Sequence, residues 1–391
     1  MVRADGIADD RTADAVVVGA GVVGAACAYY LALAGVAAVV VERAGVAGGT
    51  TGAGEGNILV SDKLPGPELA LALLSNRLWR EAGVELGPDI ELEPKGGLVV
   101  SADEPTQGAL LDLAAEQRFA GVETESLAAD RLRDLEPRIA TDLAGGVLYP
   151  QDMQVQPMLA AARMLRLARE RGARLLTGAE VIGIETAGDA VSAVRTSRGV
   201  IATRVVVNAA GTWGAEVAAF AGVEMPVLPR RGFILVTEPL PPLIRHKVYT
   251  AEYVANVASG EAGLEMSTVV EGTASGTILI GASRERVGFD RALSVQVLSE
   301  LARGATRLFP FLRGVRAIRS YLGFRPYCPD HLPVIGPDPR VAGLFHACGH
   351  EGAGVGLAQA TGRLVADGVV GRSSEVSLEP FSPGRFEVAH A

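Results

Sequence analysis

Residues 15–43 read AVVVGAGVVGAACAYYLALAGVAAVVVER, with no charged side chain before Glu42. Hydropathy alone would allow a membrane-spanning helix here. The glycines argue otherwise. Gly19, Gly21 and Gly24 form GxGxxG where a β-branched run, 14–18, must turn into a helix, and Gly35 closes that helix. The pattern predicts a strand, a tight turn, a helix over 22–33 and a second strand over 37–41. Gly19 permits the turn, Gly21 lets backbone approach a pyrophosphate, and Gly24 lets the helix pack closely on the sheet. The helix N-terminus would face the phosphates with its free N–H groups and positive dipole end. Glu42 closes the second strand, where a carboxylate can accept hydrogen bonds from both hydroxyls of a ribose. An adenine dinucleotide is the implied ligand; the bland alternative is a tight turn that binds nothing.

A chain of 391 residues, 49% hydrophobic and rich in glycine, suffices for two α/β domains or one large one. Its net charge of −9 speaks against nucleic acid or an anionic membrane surface as partner, since both need clustered Lys and Arg. Cys27, Cys328 and Cys348 stand at unrelated spacings, which suggests neither a disulfide framework nor a metal site and fits a reducing cytoplasm. Residues 1–13 hold Asp5, Asp9 and Asp10 without an apolar core, so they read as a tail and not as a secretory signal.

After Glu42 comes AGVAGGTTGAGEGNILVSDK, whose Thr50 and Thr51 could bond phosphate or ribityl oxygens, or simply lie in a surface loop. Residues 67–82 have helical apolar spacing. Runs 90–102 and 145–149 look like strands of a different sheet without crossover helices. A helix follows from Pro157 to Gly172, then paired strands 174–186 and 190–197. The strand 201–208 ends in AAGTWG, which brings backbone near Gly211 towards the same ligand. Runs 227–240, 246–257, 264–270 and 277–282 match an antiparallel sheet, and Ser294 caps a further helix. Near the C-terminus, Arg325 sits among apolar and aromatic neighbours, where a guanidinium wants either a protein carboxylate or an anionic substrate. A last helix runs to about Val370, and 372–391 reads as an irregular tail.

Taken together, GxGxxG with Glu42, NAAGTW, RPYCPDHLPVIGP and GHEGAGVGLA resemble the D-amino-acid oxidase superfamily of FAD-dependent amine oxidoreductases from Asp14 to about Gly371. GTTGAGEGNILVSDK and GTILIGASRERVGFD look most like the catalytic subunits of D-hydroxyproline dehydrogenases, opine oxidases and glycine-oxidising cyanide synthases. The resemblance implies a Rossmann-like FAD-binding α/β domain (14–86, 150–222, 320–371) with an inserted α+β substrate domain (87–149, 223–319) built on an antiparallel sheet. It implies that Gly19, Gly21, Gly24, Glu42, Arg43, Thr50, Thr51, Val181 and Gly211 contact FAD. Gly352, Gly354 and Gly356 match the loop and helix start beneath the flavin pyrimidine. Arg325 matches the arginine that grips the substrate carboxylate, Tyr253 loosely matches a pocket tyrosine, and His350, in the flavin-side loop, joins them as a catalytic candidate.

Cys328 falls near, not on, the cysteine that carries covalent flavin in some members, so non-covalent FAD is expected. The strand that should bear an oxygen-activating lysine reads Ile278, Leu279, Ile280, which speaks against rapid reaction with oxygen. The implied activity is oxidation of a secondary amine or amino acid to an imine. Electrons would pass to partner subunits, a second flavoprotein and an iron-sulfur protein. The alternatives are an autonomous oxygen-using oxidase and a non-catalytic flavin-bearing subunit.

Overall fold

The computed structural model describes residues 12–257 and 259–386. Of the tails expected at 1–13 and 372–391, residues 1–11 and 387–391 lie outside the described residues.

Ala15–Val18 pairs in parallel with Ala38–Glu42 on one side and Val206–Asn208 on the other. Arg174–Thr177 and Leu344–Cys348 extend this parallel sheet at either end, and Val334–Pro337 closes one edge antiparallel. Alternation along the strands divides their side chains between two layers. Val17 and Val40 pack with the helical layer through Ala25, Ala28 and Leu31, whereas Val16, Val18, Val39 and Val41 pack with Val194 and Ile201 of a three-stranded antiparallel sheet. Both faces are covered, which is why the strands are continuously apolar and why a stretch with the hydropathy of a membrane span is the buried core of a sheet. Among the described residues no helix is long and apolar enough to cross a membrane.

The second sheet has eight strands. It runs in the order Ala317–Tyr327, Leu228–Thr237, Ile278–Arg284, Glu265–Gly272, Lys247–Thr250, Gly97–Ser101, Gly145–Tyr149 and Glu125–Ala128. Its pairings are antiparallel except Lys247–Thr250 with Gly97–Ser101. Val295–Leu308, capped by the Ser294 hydroxyl accepting from the Val297 N–H at 3.3 Å, lays Val297 and Leu301 on the face carrying Phe233, Val270 and Ile280.

Several local expectations need correction. The run 174–186 is two strands in different sheets, because Gly178 at φ +64° turns the chain between them. The run 246–257 is a strand only to Thr250; Glu252–Val257 is a helix, so Tyr253 stands on a helix. The run 90–102 is a strand only over Gly97–Ser101. Between it and Gly145–Tyr149 lies the helix Glu104–Phe119, whose first turn Asp103 caps by accepting from the Thr106 N–H at 2.9 Å. Within 373–386 the expected tail is anchored: Phe381 is buried, and Arg385 pairs with Asp330 at 2.7 Å. The expected boundary at 320 cuts the strand Ala317–Tyr327, which is bonded along its length to Leu228–Thr237.

Candidate active site

A cavity of about 390 Å³ opens at the carboxyl ends of the central parallel strands, where Val18, Gly19, Val41, Glu42, Ala209 and Ala210 form its wall. Open α/β sheets bind ligands in this position because loops diverge there and helix N-termini converge. Gly19 has φ +106°, and a Cβ on it would lie 2.6 Å from the Ala209 carbonyl oxygen. At Gly24 a Cβ would lie 2.0 Å from the Gly19 carbonyl oxygen. Both positions demand glycine, one for the turn and one for the helix packed behind it.

Glu42 is already engaged with backbone: Oε2 accepts from the Ala20 N–H at 2.9 Å and Oε1 from the Ala44 N–H at 2.8 Å. These bonds fix the carboxylate at the cavity rim and leave each oxygen a lone pair for a ribose hydroxyl. Thr51 caps the helix Val22–Leu33 by accepting from the Val22 N–H at 3.0 Å. Thr50 and Thr212 both donate to the Phe324 carbonyl at 2.7 Å, tying the glycine-rich loop to the second sheet. Thr50 Oγ1 therefore reaches a ligand as an acceptor, its proton being given to Phe324. Arg43 lies with Cζ 4.0 Å from the centroid of Trp213, which stacks on Phe289 at 5.4 Å.

Arg43, Thr50, Thr51, Val181, Gly211, Gly352 and Gly354 line this cavity with Gly19, Gly21 and Glu42. Gly24 and Gly356 do not. Gly356 is a packing glycine whose carbonyl accepts from Ser75 at 2.6 Å, and a Cβ on it would come within 3.2 Å of the Asn57 carbonyl oxygen.

The far end of the cavity meets a second one of about 200 Å³, and Tyr253, Arg325, His350, Glu351 and Gly352 line both. Arg325 is half-buried, exposed to these cavities and not to bulk solvent. Its Nη1 donates to the Ser283 carbonyl at 2.8 Å, and among the described residues no carboxylate lies within ion-pair distance of it. Burial, then the positive charge of Arg284, pushes its pKa down to about 10, so it remains charged at neutral pH. The salt-bridge alternative for Arg325 has no partner in this structure. Tyr253 is buried, edge-on to Tyr249 at 5.1 Å, with its hydroxyl pKa raised first by burial. His350 is buried, its Nε2 is 3.0 Å from Thr361 Oγ1, and burial lowers its pKa to about 3. It is a neutral wall residue, and a group so reluctant to accept a proton is a poor base, so its place in the site is not that of a proton acceptor.

The smaller cavity also gathers residues that motif reading passed over: Asp62, Lys63, Glu68, Arg230 and Arg284. Burial opposes the charge of Lys63, but Asp62 at 3.0 Å and Glu68 at 3.6 Å outweigh it and raise its pKa. Glu55, in the larger cavity, takes an Asn57 amide at 3.1 Å and lies 3.5 Å from Lys247, while its Oε1 has no partner. The signal was within reach, because Glu55, Lys63 and Arg284 all fall in the two segments with the narrower family resemblance. Ile278, Leu279 and Ile280 line neither cavity, and Ile278 and Ile280 belong to the core beneath Val297. Their lack of a lysine therefore says nothing about oxygen, which removes one leg of the sequence argument.

The cavity suits an adenine dinucleotide, since glycine backbone, a carboxylate with spare acceptors, and charged and aromatic groups all line it. Residues 14–368 match the family described as FAD dependent oxidoreductase, DAO, and the chain belongs to that family. It is 32% identical to the hydrogen cyanide synthase subunit HcnC of Pseudomonas aeruginosa, with 97% of each chain covered. The crystal structure of glycine oxidase from Geobacillus kaustophilus superposes with TM-score 0.88 at 29% identity, covering 97% of this chain and 100% of that one. The L-proline dehydrogenase of P. horikoshii, at 24% identity and TM-score 0.87 over 96% and 98%, shares the fold. The protein is thus an FAD-dependent oxidoreductase acting on amines or amino acids, with the D-amino-acid oxidase fold.

Proposed function

We propose that this enzyme oxidises an amino acid or secondary amine to the imine in the cytoplasm and passes the electrons to a partner subunit. The observation that carries the substrate half is Arg325, a charged guanidinium without a carboxylate, on the wall common to both cavities. FAD, when bound, supplies the acceptor for the hydride leaving the carbon next to nitrogen. Gly19, Gly21, Glu42, Arg43, Thr50, Thr51, Val181, Gly211, Gly352 and Gly354 hold it without a covalent bond; Cys328 is fully buried, and burial raises its thiol pKa.

The chain's own residues then bind and orient. Arg325, steered by its bond to Ser283, offers its remaining N–H groups to a substrate carboxylate. Tyr253 closes the pocket against water, and neutral His350 holds the turn before Gly354–Val369. The positive end of that helix favours negative charge in the cavity. Electron transfer to a partner is supported by HcnC being named a subunit of a synthase.

Anaerobic mixing of holoenzyme with D- and L-amino acids, prolines and opines should bleach the flavin spectrum, and acid precipitation should leave FAD in the supernatant. A panel that leaves the flavin oxidised would overturn the catalytic reading. Reduced enzyme should reoxidise slowly in air and faster when co-expressed with the products of neighbouring reading frames. Air reoxidation as fast as reduction would favour an autonomous oxidase.

A further inference from the structure

Four cations line the smaller cavity, and they divide into two kinds. Arg230 is fully buried and answered twice, by Glu265 at 2.6 Å and Glu351 at 3.6 Å. Lys63 is likewise answered by Asp62 and Glu68. Arg325 and Arg284 have no carboxylate within ion-pair distance among the described residues. Arg284 is the more exceptional of the two. It is 4% exposed, yet its guanidinium makes no hydrogen bond to any described residue, and its Cζ lies 5.1 Å from the centroid of the Tyr253 ring. A buried guanidinium carries five N–H donors, and leaving them without acceptors is costly. Arg284 lines the cavity, so its acceptor is whatever enters there, a ligand's anionic group or water.

Position separates the two arginines. Arg325 lines both cavities, whereas Arg284 lines only the smaller one, its Cζ 5.1 Å from the ring of Tyr253, which lines both. A carboxylate on Arg325 would lie next to the flavin; an anion on Arg284 would lie farther out. The carboxylates already present are engaged elsewhere: Asp62 and Glu68 with Lys63, Glu265 and Glu351 with Arg230, and Glu55 with Lys247. We propose that Arg284 is a second anion-binding residue and that the preferred substrates are amines bearing two carboxylates, one held by Arg325 and the other by Arg284. The volume of about 200 Å³ confines them to small molecules. The second carboxylate can be carried on the nitrogen substituent or on the side chain. This proposal rests on the reading of Arg325 as the carboxylate grip.

Two measurements on the holoenzyme test it. In the first, the flavin spectrum is titrated with acids that cannot be oxidised as amines: succinate against butyrate and glutarate against valerate. The diacid should bind at least about tenfold more tightly, and Arg284→Gln should remove most of that advantage, while Arg284→Lys keeps part of it. In the second, anaerobic reduction compares iminodiacetate with N-ethylglycine and each enantiomer of glutamate with norvaline. The dicarboxylate to monocarboxylate ratio of kcat/KM should exceed about ten for one pair and collapse towards one in Arg284→Gln. Preference within the first pair places the second carboxylate on nitrogen, and within the second pair on the side chain. Equal binding of diacids and monoacids by the wild type overturns the proposal, as does an Arg284→Gln variant that loses both classes equally, which would mean both arginines share one carboxylate. If neither variant retains FAD, the wild-type comparison still decides. Diacid preference without reduction by any amine would sink the amine-oxidation reading and keep Arg284; reduction without diacid preference would do the reverse.

Discussion

The two cavities that meet at Arg325 are built from different materials. Around the GxGxxG turn the larger one is made of backbone, with Gly19, Gly21, Gly48, Gly49 and Gly211 in its wall and a carboxylate locked by two N–H bonds at its rim. The smaller is made of long charged side chains from the loop at 62–68, the helix at 253, three strands and the turn before the last helix. A backbone cradle recognises what every dinucleotide shares, and it tolerates little change because its atoms cannot move aside. A wall of side chains recognises one substrate, and each residue can be exchanged at a graded cost. The contrast teaches where cofactor and substrate specificity are stored in this fold.

The largest effect should come from breaking the cradle. Gly24→Val puts a side chain where even a Cβ would sit 2.0 Å from the Gly19 carbonyl oxygen, so the turn and helix cannot keep their packing. The variant should purify without FAD, or not fold; a yellow, FAD-replete Gly24→Val protein would show that the turn is more plastic than its geometry implies. A smaller effect is expected in the side-chain wall. Arg325→Lys keeps the charge and loses the fork, so kcat/KM for a carboxylate substrate should fall about ten- to a few hundredfold while FAD stays bound. Unchanged kinetics in the flavin-replete variant would remove Arg325 from the substrate site.

The smallest effect lies in the wall the cavities share. His350 takes up a proton more readily unfolded, near its ordinary value of 6.5, than folded, near 3, so the unfolded state gains protons first as pH falls. Its contribution is complete above 6.5 and is lost progressively as pH drops from there towards 3. Between pH 6.5 and 5.5 the wild type should lose about 1 kcal/mol that His350→Gln does not. Urea midpoints of both holoproteins at the two pH values read this directly, and parallel losses would mean that His350 is not held neutral.

Legibility from sequence followed the same division. Gly19, Gly21, Glu42, Thr50 and Thr51 could be named because the turn, helix and strand that place them are contiguous, and contiguous elements leave a periodic trace. The motif spacing gave Gly24 its packing role, but the resemblance grouped Gly24 and Gly356 with the FAD contacts, and in the structure neither lines the cavity. The neutrality of His350 comes from burial, which no local pattern records. Ile278 to Ile280 misled for a related reason: strand register decides whether a residue faces cavity or core, and one step of register exchanges the faces.

By itself, then, the chain's pattern determined the parallel core, the dinucleotide turn and the order of the elements, because strand alternation, helix spacing and glycine chemistry act over a few residues. Tertiary structure decided the rest. Arg230, Arg284 and Arg325 are far apart along the chain or on different strands, and only pairing of Leu228–Thr237 with both Ala317–Tyr327 and Ile278–Arg284 brings them to one cavity. Which of them would be matched by a carboxylate, and which left to find its partner in a ligand, depends on distances of a few ångströms between residues that the sequence leaves dozens of positions apart.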